Sequence, residues 1–148
     1  MTRTGGPDDA AAPTLVTAQR DTVMLLYQET GTIDILEPGR RQPSRARAAR
    51  RVPGETAWFL FSPREVFGYR PGGELALVYR SGATIVDVAA LDSHGTLAVA
   101  TTDEIFILFS RHTIQHTLRH RPAKFLTADQ EQRRLYFADE TGIWQLRY

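Results

Sequence analysis

Cysteine is missing from all 148 residues, so the chain has neither a disulfide framework nor a thiolate metal site, as suits a reducing compartment. Lysine is almost missing too: Lys124 stands alone among the arginines, a bias that reads first as GC-rich coding and only then as function. Formal charge is nearly balanced at +1, which excludes a whole-molecule field that would draw the protein to nucleic acid or an anionic membrane. No apolar run approaches the roughly twenty residues of a membrane span, and "MTRTGGPDDAAAP" has no apolar core of signal-peptide length. These absences set three expectations: a mobile tail over residues 1–13, a cytoplasmic location and no membrane partner. There is also no P-loop, no GxGxxG turn and no EF-hand loop, and no long helical period interrupts the chain.

What is present is a hairpin pattern that returns along the chain: "VMLLYQETGTIDIL" from Val23, "EVFGYRPGGELALVY" from Glu65, "TLAVATTDEIFILF" from Thr96 and "RLYFADETGIWQLR" from Arg134. Ile33 and Ile35 alternate with Thr32 and Asp34, the period of two of a half-buried strand, whereas Trp58 to Phe61 is a continuous apolar run suited to a strand covered on both faces. Pro71-Gly72-Gly73 supplies the fixed and permissive backbone that a tight hairpin needs. The last two copies superpose at one period: Leu97 to Leu135 and Ile105 to Ile143 are both 38 residues. Hairpins repeating at such a period are the mark of an array in which each unit buries its faces against its neighbours.

"LAVATTDEIFIL" and "LYFADETGIWQL" resemble the second and third strands of blades in WD40 and related β-propellers: apolar strand, acidic turn, apolar strand with an aromatic residue in it. The resemblance runs loosely over residues 14–148 and implies a non-catalytic platform that binds other macromolecules. The expected fold is therefore all-β, a propeller-like array of three to four antiparallel meander blades. About thirteen strands are legible, slightly more than three blades, and a closed ring needs four to eight. The second copy reads as lacking its outer strand, and the last stops where its fourth would begin. Two arrangements follow: a squeezed four-bladed ring in which "TLVTAQ" supplies the strand after Tyr148, or an incomplete ring completed by a second copy or a different subunit, as exposed edges invite. The incomplete ring is favoured, and with it an obligate oligomer.

Residues 40–54 read as an arginine-rich insertion. Arg40, Arg41, Arg45, Arg47, Arg50 and Arg51 lie in twelve residues with no aliphatic side chain larger than alanine among them. Guanidinium groups grip phosphate oxygens in pairs, which makes the segment a candidate for nucleic acid or for an acidic protein partner, but no aromatic residue within it stacks on bases. The plainer alternatives are a solvated insertion, or an outer strand with arginine outward and alanine inward. Tyr69 and Trp144 are candidate interface anchors if strand alternation turns them outward. His112, His116 and His120 share a face on a strand or a helix, yet on a strand they stand about 13 Å apart, too far to share one ion. Asp92-Ser93-His94 reads as a turn rather than a triad, and Asp103-Glu104 and Asp139-Glu140 as equivalent hairpin turns. No catalytic residue, metal or cofactor is expected. The function expected is a protein-interaction or assembly module within a larger complex; the alternatives are a nucleic-acid-binding accessory protein using the arginine segment, and a small hydrolase or metal enzyme on the same scaffold.

Overall fold

Fifteen strands and no helix make up the computed structural model, which describes residues 12–109 and 114–148. The tail expected over residues 1–13 thus falls almost wholly outside the described residues. Sheet 1 holds β1 (Thr14–Gln19), β2 (Thr22–Tyr27), β3 (Thr32–Glu37) and β4 (Arg40–Ser44), in chain order and antiparallel throughout. Sheet 2 repeats the meander with β5 (Ala48–Arg51), β6 (Trp58–Phe61), β7 (Glu65–Tyr69) and β8 (Ala76–Arg80). Sheet 3 follows with β9 (Ile85–Ala90), β10 (Leu97–Thr101), β11 (Ile105–Phe109) and β12 (Ile114–Arg119). Sheet 4 has three strands, β13 (Phe125–Asp129), β14 (Arg134–Asp139) and β15 (Gly142–Arg147).

The sheets stack face to face, and the alternation of side chains along each strand decides what meets what. In sheet 2, Trp58, Leu60, Phe67 and Tyr69 turn towards Met24, Ile33 and Ile35 of sheet 1. Phe59, Phe61 and Val66 turn the other way, onto Val88, Leu97, Val99 and Phe106 of sheet 3. The opposite face of sheet 3, with Ala98, Ala100, Ile105 and Ile107, packs on Leu126, Leu135 and Phe137 of sheet 4. All three apolar clusters among the described residues lie between consecutive sheets, and none joins sheet 4 to sheet 1. The array is open, as a propeller with part of its ring would be.

Two expectations are corrected. The arginine-rich segment is no insertion: it forms β4, the outer strand of sheet 1, and β5, the first strand of sheet 2. Sheet 2 therefore has its outer strand, β8, and the strand unread in the sequence was its first. The first strands of successive sheets lie side by side where the sheets converge, β5 next to β9 and β9 next to β13. Alanine serves at that position: Ala48 and Ala49 of β5 pack on the clusters at the two faces of sheet 2, and Ala89 and Ala90 of β9 on those at the two faces of sheet 3, beside larger residues such as Ile85 and Val88. "TLVTAQ" does not complete the last sheet either, because β1 is hydrogen-bonded to β2 as the first strand of sheet 1. The squeezed four-bladed ring is thereby excluded.

One buried carboxylate ties three of these sheets together. Asp87, on β9, accepts from Arg50 of β5 at 3.0 and 2.9 Å through Oδ1, and from the Leu126 amide of β13 at 3.0 Å through Oδ2. The Arg50 guanidinium also lies over the Phe61 ring, 5.5 Å from its centroid. Asp87→Ala leaves a buried amide and a half-buried guanidinium without their partner, and should cost about 3 kcal/mol in urea unfolding. A loss below about 1 kcal/mol would show that the brace contributes little.

Candidate functional site

The arginines of residues 40–51 are turned mostly onto the protein's own carboxylates. Arg40 pairs with Glu74 at 3.3 Å, Arg41 with Asp34 at 2.6 Å and Arg45 with Glu65 at 3.0 Å, while Arg50 serves Asp87. Arg47 lies against Gly31, whose φ of +66° belongs to the left-handed region; a Cβ there would come within 2.9 Å of Arg47 Nε. Arg51 is exposed. The six do not converge on one pocket: β4 and β5 lie in different sheets, and four of the guanidinium groups brace strands.

Tyr69 is not an outward anchor. It is buried against Trp58, ring centroids 6.5 Å apart, and its hydroxyl donates to Glu37 Oε1 across the boundary between sheets 1 and 2. Glu37 also accepts from Thr22 Oγ1 at 3.1 Å and from the Gly72 amide at 3.2 Å. Burial alone would raise the Glu37 carboxyl, but bonds from Tyr69, Thr22 and Gly72, with Arg40 nearby, outweigh it and hold the group below its usual range. Tyr69 moves the opposite way: burial first, then its bond to Glu37 and that group's charge, push it up to about 12. Trp144 is 49% exposed, with its indole N–H bonded to Asp139 Oδ1 at 3.1 Å. Asp139 is held well below the carboxylate range by the Thr141 hydroxyl and by Arg119, and its 2.6 Å bond with Arg119 locks sheet 4 to β12.

The acid-serine-histidine run is a turn: Asp92 Oδ1 accepts from the amides of His94 at 2.8 Å and Thr96 at 3.1 Å. His116 lies on β12 and His120 just past its end, at strand spacing, while His112 lies outside the described residues. No cluster of three or more metal-ligating side chains occurs among the described residues.

The most distinctive surface is the outer face of sheet 4, which sequence reasoning did not single out. Leu97 and Leu135, 38 residues apart, do the same work, each facing the preceding sheet. Ile105 faces the following sheet and is fully buried; its counterpart Ile143 is 81% exposed. Ala98, Ala100 and Ile107 are likewise buried, yet their counterparts Tyr136, Ala138 and Gln145 lie on the open face. Phe125, on the same face, is 64% exposed. At the other end of the array Leu15 of β1 is 60% exposed beside its strand partner Leu25, which is half-buried. The signal was already in the sequence, because writing the fourth copy under the third puts Ile143 beneath Ile105.

No protein-family model matches the chain, and no curated protein matches it in sequence. Solved structures do resemble it in fold. Kluyveromyces lactis Hsv2 superposes with a TM-score of 0.69 at 12% identity, over 93% of this chain and 49% of that one. A chain of the mitotic checkpoint complex gives 0.62 at 8% identity, over 86% and 46%. BBS1N in its complex with ARL6DN gives 0.59 at 14% identity, over 84% and 45%. These are proteins of the WD40 and β-propeller type, and at such identities the likeness concerns the fold alone. The chain spans about half the length of each.

The Tyr69 clamp has a pH signature. A tyrosine raised from 10 to about 12 on folding contributes stability that is complete below pH 10 and disappears as pH rises through 12. Tyr69→Phe should be about 1 kcal/mol less stable at neutral pH, and the gap to wild type should close between pH 10 and 12. A gap that stays constant over that window in denaturant titrations would contradict the clamp.

Proposed function

We propose that the protein is a non-catalytic interaction and assembly module: an incomplete propeller whose open end sheets dock onto a protein partner, either a second copy or another subunit of a larger complex. The observation that carries this reading is Ile143. Its equivalent one repeat earlier is sealed beneath the next sheet, so its own environment is that of a side chain awaiting a fifth sheet. Phe125 adds a second large apolar group to the same face, and Leu15 presents one at the opposite end. Burying a side chain of this size stabilises by about 1.5–3 kcal/mol, so two or three of them give an interface a usable core. The similar structures lend general support, since the mitotic checkpoint complex and BBS1N with ARL6DN are both assemblies. In an assembly the chain would sit with its partner continuing the stack beyond sheet 4.

Sedimentation at micromolar concentration, together with capture from the native host, tests this. Wild type should sediment above the 16.6 kDa of one chain or retain a stoichiometric protein partner. Phe125→Glu with Ile143→Glu should weaken that association at least tenfold without unfolding the chain, because both side chains are already exposed. A clean monomer that captures nothing, or an assembly indifferent to the double substitution, would end the proposal.

A further inference from the structure

Sheet 4 differs from the other three in a second respect: it has three strands, and β15 is at its edge. The Tyr148 amide donates to the Arg133 carbonyl at 3.0 Å, which fixes the phase of the β14–β15 ladder. By alternation, Trp144 and Leu146 turn their backbone groups towards β14. Ile143, Gln145 and Arg147 turn theirs outward, and these are unpaired among the described residues.

Beside this edge lies a cavity of about 550 Å³. One wall is the face of sheet 3 that turns towards sheet 4, with Ile107, Phe109, His116 and Leu118; the other side is formed by Arg133, Arg147 and Tyr148. In sheet 2 a fourth strand, β8, occupies the position that is vacant in sheet 4: it brings Tyr79 to 5.6 Å from the Phe106 ring of the next sheet, and Leu75, just before it, packs towards the sheet behind. The wall of the cavity in sheet 3 has no such cover among the described residues. The end of β15 is meanwhile held in place: the Tyr148 hydroxyl donates to the Leu91 carbonyl at 2.9 Å, and Arg133 Nε donates to the Tyr148 carbonyl at 3.0 Å. An edge fixed before binding spares an incoming strand much of the ordering cost.

We propose that the β15 edge and this cavity accept an extended segment of a protein partner, added as the fourth strand of sheet 4 and antiparallel to β15. Main-chain bonds to Ile143, Gln145 and Arg147 supply affinity, and the cavity reads alternate side chains. The side chains facing sheet 3 are apolar, because Ile107, Phe109 and Leu118 form that wall. Antiparallel addition sets the segment's N-terminal end beside Arg147 and Arg133, while the nearby carboxylates Asp92 and Asp129 already accept from amides of their own turns. An acidic residue at that end followed by alternating apolar residues is the pattern that fits. The inference rests on the reading of the protein as a docking module, but uses the edge of sheet 4 rather than its open face.

The chain supplies a probe, since the sequence of residues 74–80, ELALVYR, has this pattern and includes the outer strand of sheet 2. Titrating that peptide to millimolar concentration into isotope-labelled protein should shift the amide resonances of Ile143, Gln145 and Arg147 together with those of His116 and Leu118. Gln145→Pro removes only an outward-facing N–H, tolerated on an edge strand, and should weaken binding at least tenfold with an unchanged circular dichroism spectrum. Arg147→Glu, which leaves the backbone alone, should weaken it comparably, as should a peptide with lysine in place of its glutamate. Absent shifts, shifts on another surface, or undiminished binding to both variants would overturn the inference. If the chain still assembles through Ile143 in that event, the docking reading survives and only the strand-addition site falls.

Discussion

Every inner sheet of this protein is apolar on both faces, and no sheet can shield both by itself. That constraint dictates the rest. Residues of opposite parity on one strand are committed to opposite neighbours, as Leu60 is to sheet 1 and Phe59 and Phe61 are to sheet 3. A slip of one residue would exchange the two sets and expose both, so the stacking fixes the strand register as well. The constraint applies with equal force at the ends of the array, where Ile143, Phe125 and Leu15 meet no further sheet. Function and fold therefore share one cause: the property that stacks the sheets is the property that leaves the terminal faces apolar and exposed.

Polar contacts between the sheets set the geometry of the stack. Asp87 joins β5, β9 and β13, Tyr69 and Glu37 join sheets 1 and 2, and Arg119 and Asp139 join sheets 3 and 4. Each boundary thus carries at least one directional bond in addition to its apolar cluster. Non-directional packing alone would allow sheets to rotate or slide against one another, whereas a carboxylate with partners on both sides holds a spacing and an angle. Two of these partners are arginines, Arg50 and Arg119, and Arg41 and Arg45 pair with carboxylates of their own, so the arginine bias of the sequence is in good part structural. A fold with small residues near its axis relies on long, forked side chains to bridge between first strands.

The all-β class, the meander order and the openness of the array were legible because they depend on local alternation and on a period, both of which survive in a single sequence. Ile105 and Ile143 at a shared spacing carried most of that information. The segment from Arg40 to Arg51 was misread because strand assignment from apolar runs assumes a wide, apolar environment. At the convergent first strands alanine suffices, and the flanking arginines lie outward or pair with acids such as Asp34 and Asp87. Tyr69 and Trp144 show the same limit from another side. Both turn towards the preceding sheet, but strand alternation does not say how much that sheet places against them: Tyr69 is buried in the cluster with Trp58 and Met24, whereas Trp144, paired across the ladder with Phe137, is half exposed. The open face of sheet 4 is implicit in the repeat, where Ile143 falls beneath Ile105, but a single sequence does not say that no sheet follows to cover it.

A chain without native cysteine allows the central claim to be tested with a single introduced thiol. Ile143→Cys, produced in the native host and labelled in fresh extract, is to be compared with the same variant after dilution and purification, using Glu131→Cys on an exposed turn as the reference. The account predicts that the thiol at position 143 is shielded in the extract, labelling at least tenfold more slowly than the reference, and becomes as reactive as the reference once the protein is isolated and dilute. Equal labelling of the two thiols in the extract would mean that nothing covers sheet 4, and would contradict the account.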